Sequence, residues 1–480
     1  MSTVGLRPQS SRDISLLSIH CRYDRRTVLG CTSSRHAPVA GHTDRKPRGV
    51  RLACPGSVSR ASIAALTGAK RNPRVTPPRR GRRKPDSIGL TPMAVVMLAA
   101  GLLSVSFQIL LPVVPVLLET NGPHGGGGAA TAALFIAMVG GELATPWLQS
   151  KLGISKLLIA GALVLALPSL EYAYPLVSPI WILLATAGRG FGMGIGVVVC
   201  VVLATAYAPS KSSGRAIGYF GLATGIPGVV VPSIGLWLLQ VGQLDVAVLV
   251  AFSSAFMAGL LGLTLQPRTA PPSLVAVNLI AAISRPGLVA IFVSLGLASC
   301  TYGGIVTFIP IALPASGASS GALFFLLSGG CRAIGRWLSG LLADFHSGRR
   351  VFAAGLALSA GGLVAVSGRP EPAPLLIGAI LYGLGIGAAQ TGAYICLAER
   401  SSASERTWVS VLWNGALDIG SATGGALLGL GAALYGYSNA FWLLPLLALV
   451  SLPVLAIAGG GTTISEDAET VSPRRTRPDQ

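Results

Sequence analysis

Apolar residues in this chain neither alternate nor recur every third or fourth position. They continue for roughly twenty residues at a time and then break at a short stretch bearing polar residues, glycine or proline. A helix of about 20 residues rises about 30 Å, the thickness of a bilayer's hydrocarbon core, where every backbone N–H and C=O must be paired within the protein. The pattern predicts an all-α integral membrane fold of twelve transmembrane helices. The first six run Met93 to Leu118, Ala129 to Leu148, Leu157 to Leu176, Trp181 to Ala206, Ala216 to Leu239 and Val246 to Leu265. The second six run Leu288 to Ile311, Ala322 to Leu342, Val351 to Val366, Leu375 to Leu397, Trp408 to Leu434 and Phe441 to Ala458.

The loops set the expected orientation. Alternate connections carry Lys151 and Lys156, Lys211 and Arg215, Arg268 and Arg285, Arg349 and Arg350, then Arg400 and Arg406, whereas Arg369 is the one basic residue in the loops between them. Cytoplasmic loops retain positive charge, so both termini are expected in the cytoplasm, with the chain in the inner or plasma membrane. A missed or invented helix would reverse the bias for every later loop, so its regularity supports the count of twelve.

Composition agrees: 51% of residues are apolar and 11% charged, too few charges to cover a water-soluble protein of this length. The net charge of +19 is unevenly placed, since 19 of the 36 Lys and Arg lie between Met1 and Asp86 against four Asp. The excess therefore implies no nucleic-acid partner for the body of the chain. Residues 1–87 have no helical or strand periodicity and read as a disordered basic segment; no apolar run there suits a signal peptide, and Met93 is a candidate start. Residues 459–480 read as a disordered cytoplasmic tail. The seven Cys show no CxxC spacing, which argues against a metal site or a disulfide framework. No GxxxxGK[ST] occurs, so neither a nucleotide nor any other cofactor is expected.

The body repeats at an offset of 195 residues. Gly153 of LQSKLGISK corresponds to Gly348 of LADFHSGRR, and Gly188, Gly190 and Gly192 correspond to Gly383, Gly385 and Gly387. A six-span repeat gives two lobes, residues 93–265 and 288–458, joined by a cytoplasmic linker, residues 266–287, with room for an amphipathic surface helix. The strongest local pattern is GRWLSGLLADFHSGRR at the end of span eight. Gly340, Asp344, Gly348, Arg349 and Arg350 place one acid and two bases around a tight reversal, where they can latch helices in one state or serve as interfacial anchors. On topology, repeat and this motif together, the chain resembles the major facilitator superfamily, whose loop motif is roughly G-x-x-x-D-x-x-G-R-R/K. The copy in the first half is eroded, with Ser150 and Ser155 where Asp and Arg are expected. The resemblance covers Met93 to Ala458 and implies two six-helix lobes, a central cavity and alternating access.

Several side chains inside spans are candidates for chemistry, because ionisable groups in a membrane face the bundle interior or a water-filled cavity. Arg189 in span four is either an interior residue or an interfacial one that snorkels; the resemblance links an arginine here with proton coupling. Glu142 in span two and Asp418 in span eleven are carboxylates well inside spans and candidate proton carriers. Glu142 could instead latch the lobes through bases, and Asp418 could bond a neighbour such as Asn414. Arg332 and Arg336 in span eight sit one turn apart on one face, placed to bind an anionic substrate or to pair with Asp344 or Asp418. Span five carries Gly221, Gly225, Pro227 and Gly228, which permit a kink and close packing. The resemblance ties a related stretch to proton-driven exporters, although here the closing Gly-Gly is absent.

The expected function is a secondary active transporter, a monomer moving a small molecule across the lipid bilayer by proton-coupled export. A proton-coupled nutrient importer and a non-transporting sensor on the same scaffold are the alternatives. No paired carboxylates, HExxH or Ser/His/Asp set points to an enzyme, and Gln108, Tyr302, Gln390 and Tyr394 are candidate cavity residues without a legible preference for one ligand.

Overall fold

A computed structural model describes residues 91–174, 178–208, 213–265, 285–312, 318–343, 345–368, 372–401 and 406–457. The basic segment, the tail and all but the last three residues of the linker fall outside the described residues. Every apolar run is helical. The twelve spans are Pro92–Asn121, Gly126–Leu152, Ile154–Ala173, Pro179–Tyr207, Ser213–Gln240, Leu244–Gly262, Pro286–Ala312, Ala318–Ala343, Gly348–Gly368, Pro372–Glu399, Arg406–Tyr435 and Tyr437–Ile457. Eleven are long and apolar enough by themselves to cross a membrane. The remaining one, span eight, has 26 residues; Arg332, Arg336 and its serines and glycines lower its hydropathy.

Local chemistry explains where the spans start and break. Spans one, four, seven and ten open on Pro92, Pro179, Pro286 and Pro372, because the first helical turn is where a missing N–H costs nothing. Thr91 caps span one, its hydroxyl accepting the Ala94 N–H at 3.4 Å. Span one is two helices, Pro92–Leu110 and Val113–Asn121. Pro112 lacks the N–H needed to carry the ladder through. Span three finishes as the tighter turn Leu167–Ala173, with Pro168 near its start.

Packing sorts the spans into two sets of six with matching neighbours. Span two packs on span four as eight packs on ten, one on five as seven on eleven, three on four as nine on ten, and three on six as nine on twelve. The interface between the sets is made chiefly by span two with span eleven and span five with span eight.

That interface is closed at one end of the bundle. The closed end carries the neutral loops before Gly126 and around Gly436; the other carries the Lys- and Arg-bearing loops. A Cβ at Gly128 would collide with the Gly425 carbonyl, and one at Gly429 would lie 2.8 Å from the Gly125 carbonyl, so only glycine allows this approach. Thr131 of span two and Thr307 of span seven share a buried hydrogen bond of 2.6 Å. Beyond them, the Tyr437 hydroxyl donates to Glu119, whose carboxylate also accepts the N–H groups of Gly125 and Gly127 at 2.8 and 2.9 Å. Interhelical hydrogen bonds in membranes average only about 0.6 kcal/mol, so this end is held by the sum of close contacts. Spans five and eight behave likewise: Gly329 approaches Val229 and Gly321 approaches Leu236, while Gly218, Gly221, Gly225, Gly330 and Gly340 meet nothing within 4 Å.

Candidate functional site

Where span one breaks, a small cavity between the lobes is lined among others by Leu111, Pro112, Gly228, Tyr302, Arg332 and Tyr382. The Pro112 break in the first lobe and Gly228 in span five keep backbone and bulk out of this space. Arg332 reaches in from span eight, its guanidinium 5.0 Å from the centre of the Tyr302 ring. A Cβ on Gly228 would sit 3.9 Å from an Arg332 guanidinium nitrogen and 3.5 Å from the Gln108 amide nitrogen. These two side chains thus approach the same point from opposite lobes. The Gln108 amide oxygen is buried and has no hydrogen-bond partner.

One turn further along span eight, Arg336 donates to the Gln390 side-chain oxygen through Nε at 3.0 Å and Nη2 at 2.5 Å. Its guanidinium also lies 5.7 Å from the Trp413 ring centre, and the Trp413 indole N–H donates to the Gln390 carbonyl at 2.8 Å. Neither arginine pairs with Asp418. Asp344 lies outside the described residues.

The two intramembrane carboxylates lie on facing spans of opposite lobes instead. Asp418 is 7% exposed, and Glu142 of the opposite lobe is half-buried and close enough to act on it electrostatically. They continue the glycine interface: Gly128, Thr131, Phe135 and Glu142 follow one face of span two, as Gly429, Gly425, Ala422 and Asp418 follow one face of span eleven. Among the described residues neither carboxylate takes a hydrogen bond or a cation, and Asp418 does not bond Asn414. Small residues on both helices let these acids approach, and that juxtaposition was not legible when each was considered on its own helix.

Arg189 stands apart from both pairs. It is 1% exposed and donates to the Ser106 carbonyl of span one at 2.6 Å and to the Ser169 hydroxyl at 3.0 Å. Its guanidinium lies 5.8 Å from the Tyr172 ring centre, and it borders a second small space with Thr131 and Thr186. No carboxylate is among these partners, and the side chain is interior, not snorkelling.

At the Gly340 to Arg350 motif the geometry differs from the expected tight reversal. Gly348 opens span nine without a left-handed backbone angle, unlike its repeat partner Gly153 with φ of +78°. Its smallness serves packing, since a Cβ there would press against Ile395 and Cys396. The Gly348 N–H donates to Glu399 at 3.3 Å, and Arg349 donates to the Ala456 carbonyl at 3.3 Å. Glu399 is thus the acid found at this corner, one the motif pattern does not contain. In span five, Gly221 and Gly225 face open space and Gly228 faces the cavity, so the expected close packing falls further along, where Gly235 abuts the Ile109 carbonyl. Gln390 joins Arg336, Tyr302 faces Arg332, and Tyr394 packs edge-on against Trp413 with ring centres 6.0 Å apart.

The sequence matches the family model described as Major Facilitator Superfamily over residues 96–339 and 291–476. Among solved structures, a bacterial homolog of the human lysosomal transporter Spinster, in an inward-facing and unoccupied conformation, aligns with a TM-score of 0.63 at 15% identity, covering 76% of this chain and 96% of that one. The nucleoside transporter NupG aligns with a TM-score of 0.62 at 13% identity, covering 77% of this chain and 99% of that one. Among curated proteins none matches significantly.

Proposed function

The chain belongs to the major facilitator superfamily, and from that membership we propose that it is a secondary active transporter that exports a small molecule by alternating access, driven by protons. The Lys- and Arg-bearing loops are assigned to the cytoplasm, which makes the closed, glycine-lined end the outer one and the described state one that loads from inside. Export draws on the Gly221 to Gly228 stretch, which resembles that of proton-driven exporters and contributes Gly228 to the cavity wall.

The observation that carries the coupling is the Glu142 and Asp418 pair. Each lobe supplies one carboxylate, and among the described residues neither is paired with a cation. Two ionised carboxylates on facing lobes repel, and a proton gained by either one relieves that repulsion. Because the acids sit on opposite lobes, gain of a proton favours the lobes together at this level and loss of it favours them apart. Proton binding with different affinity in two states shifts their populations, which is the requirement for coupling.

Substitution tests this directly. Asp418→Asn keeps shape and hydrogen bonding but carries no ionisable proton. In proteoliposomes it is expected to abolish uphill transport driven by a pH gradient while leaving downhill substrate exchange largely intact. Gradient-driven transport with an unaltered pH profile in this variant would exclude the pair as the coupling site.

A further inference from the structure

The two like-charged pairs of the interior are kept separate: Glu142 acts on Asp418, and Arg332 acts on Arg336. Side chains of opposite sign that could neutralise each other therefore do not meet. Arg336 spends two donors on one neutral oxygen, that of Gln390. Arg332 donates no hydrogen bond to any described residue and rests its planar face over Tyr302. A guanidinium carries five N–H donors in a fixed fork that matches a carboxylate or phosphate edge. An arginine turned into a cavity with those donors unmet, one helical turn from a second arginine, is an incomplete charge arrangement.

The rest of the cavity restricts what completes it. Its walls beside Arg332 are Leu111, Pro112, Val306, Phe325, Tyr302 and Ile386, apolar or aromatic surfaces that suit a flat, hydrophobic body. On the opposite lobe the Gln108 amide nitrogen, a donor, comes to the same point that Arg332 approaches.

We infer that this site binds a small organic anion with an apolar body, its acidic group held by Arg332 with Arg336 behind it and, from the other lobe, by the Gln108 amide N–H. Because Arg332 belongs to one lobe and Gln108 to the other, such an acidic group bridges the interface, and both donors are engaged only while the lobes approach at this level. Calling the anion the transported cargo rests on the transporter reading; its binding does not.

Three probes of one shape and different charge separate these statements: 4-hydroxybenzoate, 4-hydroxybenzyl alcohol and tyramine, measured by equilibrium binding to the purified full chain. The expected result is saturable binding of 4-hydroxybenzoate at least ten-fold tighter than the alcohol, with tyramine weakest. Arg332→Gln should lower affinity for 4-hydroxybenzoate about ten-fold or more, as losing a charged hydrogen bond does, and Arg332→Lys should restore part of it. Gln108→Leu should weaken 4-hydroxybenzoate and benzoate alike, since both carry the acidic group it faces. Equal binding of all three probes, or unchanged affinity in a monodisperse Arg332→Gln protein, overturns the anion site. Binding without flux in proteoliposomes leaves the site standing and removes the cargo role. Proton-driven flux of another compound without anion binding does the reverse.

Discussion

An arginine placed deep in a membrane helix costs between about 2.5 and more than 10 kcal/mol unless it is solvated, and Arg189 meets that cost with neutral partners. Its donors reach a span-one carbonyl and the Ser169 hydroxyl at the end of span three, tying three helices of the first lobe together. The sequence left this residue either interior or snorkelling at the interface, and its burial places it inside. Its partners were not legible, since a backbone carbonyl 83 positions away leaves no trace in residue type. We expect Arg189→Lys to keep the charge but reach only one acceptor, losing about 2 kcal/mol of stability, the value of one charged hydrogen bond. A lowered unfolding temperature with residual gradient-driven transport would fit this positioning role. Unchanged stability with uncoupled transport would place Arg189 in the proton cycle.

Among elements, spans two and eleven decide how the lobes meet. Helices in lipid gain little from hydrophobic burial and associate through close van der Waals contact, which small residues permit. Gly128, Gly425 and Gly429 supply that contact. A side chain at 425 would strike Thr131, whose Cβ would be 2.8 Å from its own, so Gly425→Val should force the outer end apart. A cysteine introduced at Ile311, which packs against Gly127 at this end, should then react with an impermeant maleimide several-fold faster than in the parent; an unaltered rate would show that the interface yields without opening. The helices themselves were legible because a membrane span must be long and apolar throughout. Their ends lay a few residues further out than the apolar runs, where Pro92, Pro179, Pro286 and Pro372 begin the first turn. The break in span one was missed because Pro112 lies inside an unbroken apolar run, and hydropathy does not register a lost N–H.

On the scale of the whole molecule, the repeat made the two matched sets of six spans legible, yet the contacts between the sets were not. Tyr437 and Glu119 are 318 residues apart, and no pattern in the residues around Glu119 marks that contact. The separation of acids from arginines has an electrical consequence. If one proton fills the acid pair and one monovalent anion fills the arginine site, the two routes across the membrane differ in the charge they move. Exchange of an outgoing anion for an incoming proton carries two positive equivalents inward per cycle and is electrogenic, whereas entry of both together carries none. Each charge crossing a membrane potential of about 100 mV is worth about 2.3 kcal/mol, so exchange would draw about 4.6 kcal/mol per cycle from voltage alone. In proteoliposomes clamped with valinomycin and potassium, a potential negative on the side of the basic loops should accelerate loss of the anion from that side, and indifference to the clamp would identify co-entry instead.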